Sequence, residues 1–143
     1  KAKGATLTLA DITLLTRLDE LGDLRVFVVE DDLAHHARML RWLEERSLIA
    51  VGMTAVTNLN EAQISGRDLN SGAVTVPLSE IGAAFLDFYF PEPPYDGAVL
   101  ARALSQANVR SFAMSSVAEK NAAMIRAGAL GGMRKREFAS LLL

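Results

Sequence analysis

Four carboxylates of this 143-residue chain stand directly behind apolar runs, the placement that puts a side chain at the end of a buried strand. Glu30, Asp31 and Asp32 follow Val26-Phe27-Val28-Val29, and Asp87 follows Ala83-Ala84-Phe85-Leu86. Ser115 and Ser116 close a third run, Ser111-Phe112-Ala113-Met114, and Lys135 lies just past a weak apolar piece at 131–134. Carboxylates gathered at one edge of a sheet repel one another. Two unit negative charges about 4 Å apart cost about 4 kcal/mol at an effective dielectric of ~20. A divalent cation relieves that cost, and an all-oxygen donor set suits Mg²⁺. A hydroxyl and an ammonium beside it would add hydrogen-bond donors for an anion. A metal, a free carboxylate, a hydroxyl and a lysine together form a site for a phosphoryl group.

The elements that must position these residues alternate between strand and helix. The β-branched run at 26–29 reads as a strand buried on both faces. Positions 34–45 carry Met39, Leu40, Trp42 and Leu43 at helical spacing, and a second apolar segment runs over 48–56. A strand at 83–87, a helix at 97–107 with Val99, Leu100, Ala103 and Leu104 on one face, and a strand at 111–115 follow. A helix at 118–127 is closed by Gly128 as its C′ residue. A last helix begins at 137 and is cut short. Residues 1–24 predict a separate N-terminal helical extension, with leucines at two- and three-residue steps and Asp11 as a cap. The stretch 57–80, rich in Asn, Ser and Gly with a short alternating piece at Val74-Thr75-Val76, reads as a loop-rich excursion that could hold a hairpin, where a helix would be expected. Strand–helix alternation predicts an α/β fold with a parallel sheet covered on both faces. In such a sheet ligands sit beyond the carboxyl ends of the strands.

Composition narrows the function. With 15 Lys and Arg against 17 Asp and Glu, the net charge of −2 supplies no basic field for a nucleic-acid backbone. The absence of cysteine excludes disulfides, thiolate nucleophiles and Cys-ligated metals. No apolar run spans a membrane and Lys1-Ala2-Lys3-Gly4 is no signal peptide, so a cytoplasmic piece of a longer protein is expected.

The order of these residues resembles the receiver domain of two-component response regulators, over about 25–138. The anchors are Val28-Val29-Glu30-Asp31-Asp32, Phe85-Leu86-Asp87 with Pro91 beyond it, Asp96-Gly97, Phe112-Ala113-Met114-Ser115-Ser116, Gly128-Ala129 and Lys135. The resemblance implies a flavodoxin-like three-layer sandwich with five parallel strands in the order 2-1-3-4-5, within a receiver domain at 25–143. It implies that Asp87 is the phosphoacceptor, a carboxylate nucleophile that forms an acyl phosphate. Glu30, Asp31, Asp87 and the backbone carbonyl of Tyr89 would hold Mg²⁺, Ser115 would be the switch hydroxyl, and Lys135 would pair with the phosphoryl oxygens. The implied partners are a histidine kinase or histidine phosphotransfer protein and an output domain outside this chain, with a homodimer also possible. The protein would be a signalling phosphoacceptor rather than an enzyme.

The chain departs from the family pattern in several places. The stretch from Asp31 to Asp87 is long, the excess falling in 57–80, and the segment from Pro91 to Gly97 is stretched. The interval from Ser115 to Gly128 is slightly short. Gly132 stands where an aromatic is expected before the lysine, and Arg136 where a proline is expected after it. Plainer readings stand beside the sharp ones. Glu30-Asp31-Asp32 could be a solvated turn with Asp32 as helix cap, Asp87 a strand-end cap, and Lys135 part of an exposed Arg134–Arg136 cluster. Ser116 could supply the hydroxyl in place of Ser115. His35 and His36, about 100° apart on a helix, do not chelate a metal and read as surface or helix-dipole residues. A phosphohydrolase of the haloacid dehalogenase type would want an acid where Tyr89 stands, and an acidic first loop would repel the phosphate of FMN. The main rival is a receiver-like docking module that works without regulated phosphorylation.

Overall fold

The structure is a computed structural model and describes residues 25–45, 47–88 and 95–134. The expected helices at 1–24 and from 137 onward, Tyr89 and Lys135 all lie outside the described residues.

β1 (Arg25–Val29) is the middle of the fold: 26–29 are fully buried, and β2 (Ala50–Met53) and β6 (Ile81–Leu86) pair with it in parallel on either side. Its side chains alternate between two cores. Val26 and Val28 join Met39 and Leu43, while Phe27 and Val29 join Leu100, Leu104 and Met124. Both faces need apolar residues, so the run is continuous. β7 (Arg110–Ala113) and β8 (Gly131–Gly132) extend the sheet, giving five parallel strands in the order β2-β1-β6-β7-β8. Helices α1 (Leu33–Glu45), α2 (Gly97–Gln106) and α3 (Ala118–Ala127) connect them. The expected flavodoxin-like α/β sandwich is present.

Between β2 and β6 the expected loop is instead a second sheet. β3 (Ala55–Leu59), β4 (Gln63–Arg67) and β5 (Ala73–Pro77) form an antiparallel meander. The chain swings from β2 into β3 at Thr54, whose N–H donates to the Arg67 carbonyl at 2.7 Å. Its hairpins close on Asn60 and Asp68, whose Oδ1 atoms each accept two backbone N–H groups. Val56, Ile64 and Val76 are buried in the same core cluster as Leu100 and Leu104 of α2. The alternating piece Val74-Thr75-Val76 is inside β5, while Asn58 in β3 and Ser65-Gly66 in β4 interrupt the period of two in the other strands. The turn residues and β5 were legible, and β3 and β4 were not.

Two further details differ from expectation. On α2 the buried stripe is Gly97, Leu100, Ala101 and Leu104, and Val99 is 40% exposed. On α1, His35 and His36 are not surface residues: both are buried, continuing the stripe of Met39 and Leu43. Their polar type hid a place on the apolar face that their spacing fits. His36 lies directly against Gly52 of β2, where any side chain would collide with the imidazole. No helix among the described residues is long and apolar enough to cross a membrane.

Candidate phosphoryl and metal site

The parallel sheet delivers its acidic residues to one edge. The Glu30 N–H donates to the Met53 carbonyl, and the Asp87 N–H donates to the Val29 carbonyl at 2.9 Å, so both residues extend the ladder by one step. The Met114 N–H does the same to the Leu86 carbonyl, which brings Ser115 to the same edge. Glu30 and Asp87 are buried, while Asp31 is exposed. Each of the three can present a carboxylate oxygen within 4.8 Å of the other two. A donor set made only of oxygen, partly open to solvent, fits a hard divalent cation such as Mg²⁺.

The fourth acid has another duty. Asp32 Oδ1 accepts the His35 N–H at 3.1 Å and caps α1, and the Asp32 N–H donates to Glu30 Oε2 at 3.0 Å. The Glu30 carbonyl accepts a hydrogen bond from His36 Nδ1 at 2.7 Å. Burial holds the His36 pKa below its ordinary value, and the bond to Glu30 offsets that only in part. The resulting neutral imidazole, with its proton on Nδ1, fixes the backbone of Glu30 without taking up its carboxylate.

Asp87 Oδ1 accepts the N–H of Phe88 at 2.8 Å, which orients the carboxylate. The Gly97 N–H donates to the Phe88 carbonyl at 2.8 Å and closes the base of the following loop. A Cβ at Gly97 would stand 2.5 Å from the Asp87 carbonyl oxygen, so only glycine allows α2 to start this close to the acid. Asp96 caps that helix through the Val99 N–H at 2.9 Å.

Ser115 is buried and Ser116 is exposed. Ser115 Oγ accepts the Val117 N–H at 3.1 Å, so its own proton can be donated elsewhere. Asn121 of α3 grips the Ser115 backbone twice. Its Oδ1 accepts the Ser115 N–H at 2.7 Å, and its Nδ2 donates to the Ser115 carbonyl at 3.1 Å. One residue earlier, Lys120 Nζ sits 4.8 Å from the Phe88 ring centroid. Sequence reasoning missed His36 and Asn121 as supports of the site. The available signal was a polar residue on an otherwise apolar helical stripe, beside Met39 in one helix and Met124 in the other.

No family model matches the sequence, and no curated protein matches it significantly. Solved structures do match. A response-regulator receiver domain from Bermanella marisrubri aligns at 21% identity and TM-score 0.55, covering 82% of this chain and 93% of that one. A response-regulator receiver protein from Pseudomonas putida aligns at 18% identity and TM-score 0.54, covering 85% and 93%. A probable two-component response regulator/GGDEF domain protein aligns at 18% identity and TM-score 0.56, covering 93% of this chain and 53% of the longer protein. The strand order, the acids at the carboxyl edge and these alignments agree: this chain has the fold of a response-regulator receiver domain.

Proposed function

We propose that this chain is a phosphoacceptor receiver that takes a phosphoryl group onto Asp87 and signals through a partner or output domain. The observation that carries this reading is the meeting of Glu30, Asp31 and Asp87 oxygens at the carboxyl edge of a receiver-type sheet. In the reaction a carboxylate oxygen of Asp87 forms a bond to phosphorus as the N–P bond of a donor phosphohistidine breaks. The imidazole leaves with the electron pair and takes up a proton, and Asp87 becomes an acyl phosphate. The Phe88 N–H holds the Asp87 carboxylate in orientation. Glu30 and Asp31, with Asp87 and the Tyr89 carbonyl, would hold Mg²⁺, which when bound neutralises charge on the transferring group. Ser115 donates its hydroxyl proton to a phosphoryl oxygen once the group is in place, and Lys135 pairs with another. The donor is a histidine kinase or histidine phosphotransfer protein, which places the reaction in the cytoplasm. The matched GGDEF protein, where a receiver fold occupies about half the chain, supports an output domain covalently attached elsewhere.

The test is intact-mass measurement after incubation with Mg²⁺ and a small phosphodonor. One phosphate adduct is expected, absent in Asp87→Asn and absent without Mg²⁺. An adduct that persists in Asp87→Asn removes the assignment. No adduct on the parent chain favours the docking-module reading.

A further inference from the structure

The start of α3 is tied down in an unusual way. Its N-cap is Val117, whose side chain makes no capping bond. A β-branched apolar residue is among the poorest caps. The anchoring comes from Asn121, one turn inside the helix, whose buried amide occupies both main-chain groups of Ser115. Between Ser115 and α3 there are only Ser116 and Val117, and the Val117 N–H is held by Ser115 Oγ. The segment from Ser115 to the first turn of α3 is therefore closed on itself by three hydrogen bonds. Ser115 cannot shift its peptide groups without carrying Asn121, and so the helix, along with it. The neighbouring Lys120 rests on Phe88, which follows Asp87 directly. The first turn of α3 touches both strand ends of the site.

Resting on the receiver reading above, we infer that Asn121 is a positioning residue that makes Ser115 and α3 move as one body. Engagement of the Ser115 hydroxyl with a phosphoryl group on Asp87 then displaces α3 directly. At rest the hydroxyl oxygen accepts from Val117. When the proton of Ser115 is drawn to the phosphoryl oxygen, the preferred position of the loop changes, and the double bond to Asn121 passes that change to the helix. A population shift needs different contacts in its two states, and the added bond from the Ser115 hydroxyl to the phosphoryl oxygen supplies one. The device needs no aromatic side chain at position 132, where the neighbouring strand carries the buried Gly132.

The experiment records backbone amide spectra of the chain with Mg²⁺, before and after addition of beryllofluoride, for the parent, Asn121→Ala and Asn121→Asp. In the parent, the amides of 115–116 and of 118–127 should shift together. In Asn121→Ala, beryllofluoride should still shift Asp87 and Ser115, while the response of 118–127 falls about fivefold or more, the lower end of ordinary allosteric couplings. Asn121→Asp keeps the acceptor for the Ser115 N–H and should recover part of the α3 response, which a merely structural role would not predict. It also serves as the test variant should Asn121→Ala fail to fold. A full α3 response in either folded variant overturns the inference. A parent in which Ser115 shifts while 118–127 stay still overturns it as well, without touching the receiver reading. A parent with no change at Asp87 overturns both.

Discussion

The two sides of the acid cluster are built on one plan with different parts. On the acidic side, the strand-end residue Glu30 is held by His36, six residues on and buried in the following helix. On the hydroxyl side, the strand-end residue Ser115 is held by Asn121, also six residues on and buried in the following helix. His36 makes one bond, to a carbonyl, and its Nε2 faces Gly52 with no hydrogen-bond partner among the described residues. Asn121 makes two, to an N–H and a carbonyl. An imidazole can gain a proton, and a carboxamide cannot. The same geometric device therefore carries a titratable group beside Glu30 and none beside Ser115. In both cases the support takes hold of the backbone and not of the strand-end side chain.

The comparison can be broken from either side. Removing His36 should have the largest effect, because the change deletes a buried ring and a buried bond together. His36→Ala should lose about 3 kcal/mol of unfolding free energy in urea titrations. A loss of about 0.5 kcal/mol, the level of surface substitutions, would show that the imidazole is not a support. Asn121→Ala strands the Ser115 N–H and carbonyl in a buried place and should cost about 1–3 kcal/mol. Hydrogen exchange at the Ser115 amide should accelerate in that variant and not in His36→Ala.

Acid should separate the two supports further. The folded-state pKa of His36 lies below its unfolded value, so the unfolded chain takes up the proton first. The contribution of His36 to stability is complete above the unfolded value, about 6.5, and is lost as pH falls below it, by at most about 1.4 kcal/mol per unit. In Mg²⁺-free buffer, the parent should lose more stability than His36→Leu between neutral pH and the onset of carboxylate titration. The stability difference between the parent and Asn121→Ala should stay level over the same interval. Equal slopes for the parent and His36→Leu would contradict the buried neutral imidazole. The smallest effects on folding belong to the acids themselves. Asp32→Ala should cost about 1 kcal/mol through its cap and leave Mg²⁺ binding nearly intact. Asp31→Ala, at an exposed position, should leave stability within about 0.5 kcal/mol and weaken Mg²⁺ binding strongly in an NMR titration. Equal losses of metal affinity in the two variants would mean a diffuse acidic surface rather than a site.

Most of the parallel sheet was legible because its strands are buried on both faces and end in chemistry. An unbroken Val26–Val29 run and its following acids can be read without knowing any neighbour. Gly128 was legible for a similar reason, since its φ of 136° closes α3 in a conformation suited to glycine. The supports were not legible. Asn121 and His36 matter through the single atoms they reach, and no periodicity records which backbone group a side chain will find. Most of the meander was hidden for a different reason: β3 and β4 are short, half-exposed and carry Asn58, Ser65 and Gly66 inside them, so local preference and tertiary outcome disagree.

That meander also bears on how the chain reaches its fold. β1 and β6 are neighbours in the sheet, yet α1, β2 and the whole meander lie between them in sequence. Bringing distant segments together costs loop-closure entropy before any contact rewards it, and such pairings are slow. The hairpins β3–β4 and β4–β5 join residues only a few positions apart, held by the Asn60 and Asp68 turns. Once they close, the intervening chain is a short folded block rather than a long flexible tether, and the two ends of β1 and β6 search a smaller volume. A meander that lengthens the polypeptide between β1 and β6 thus shortens the effective distance these strands must cover.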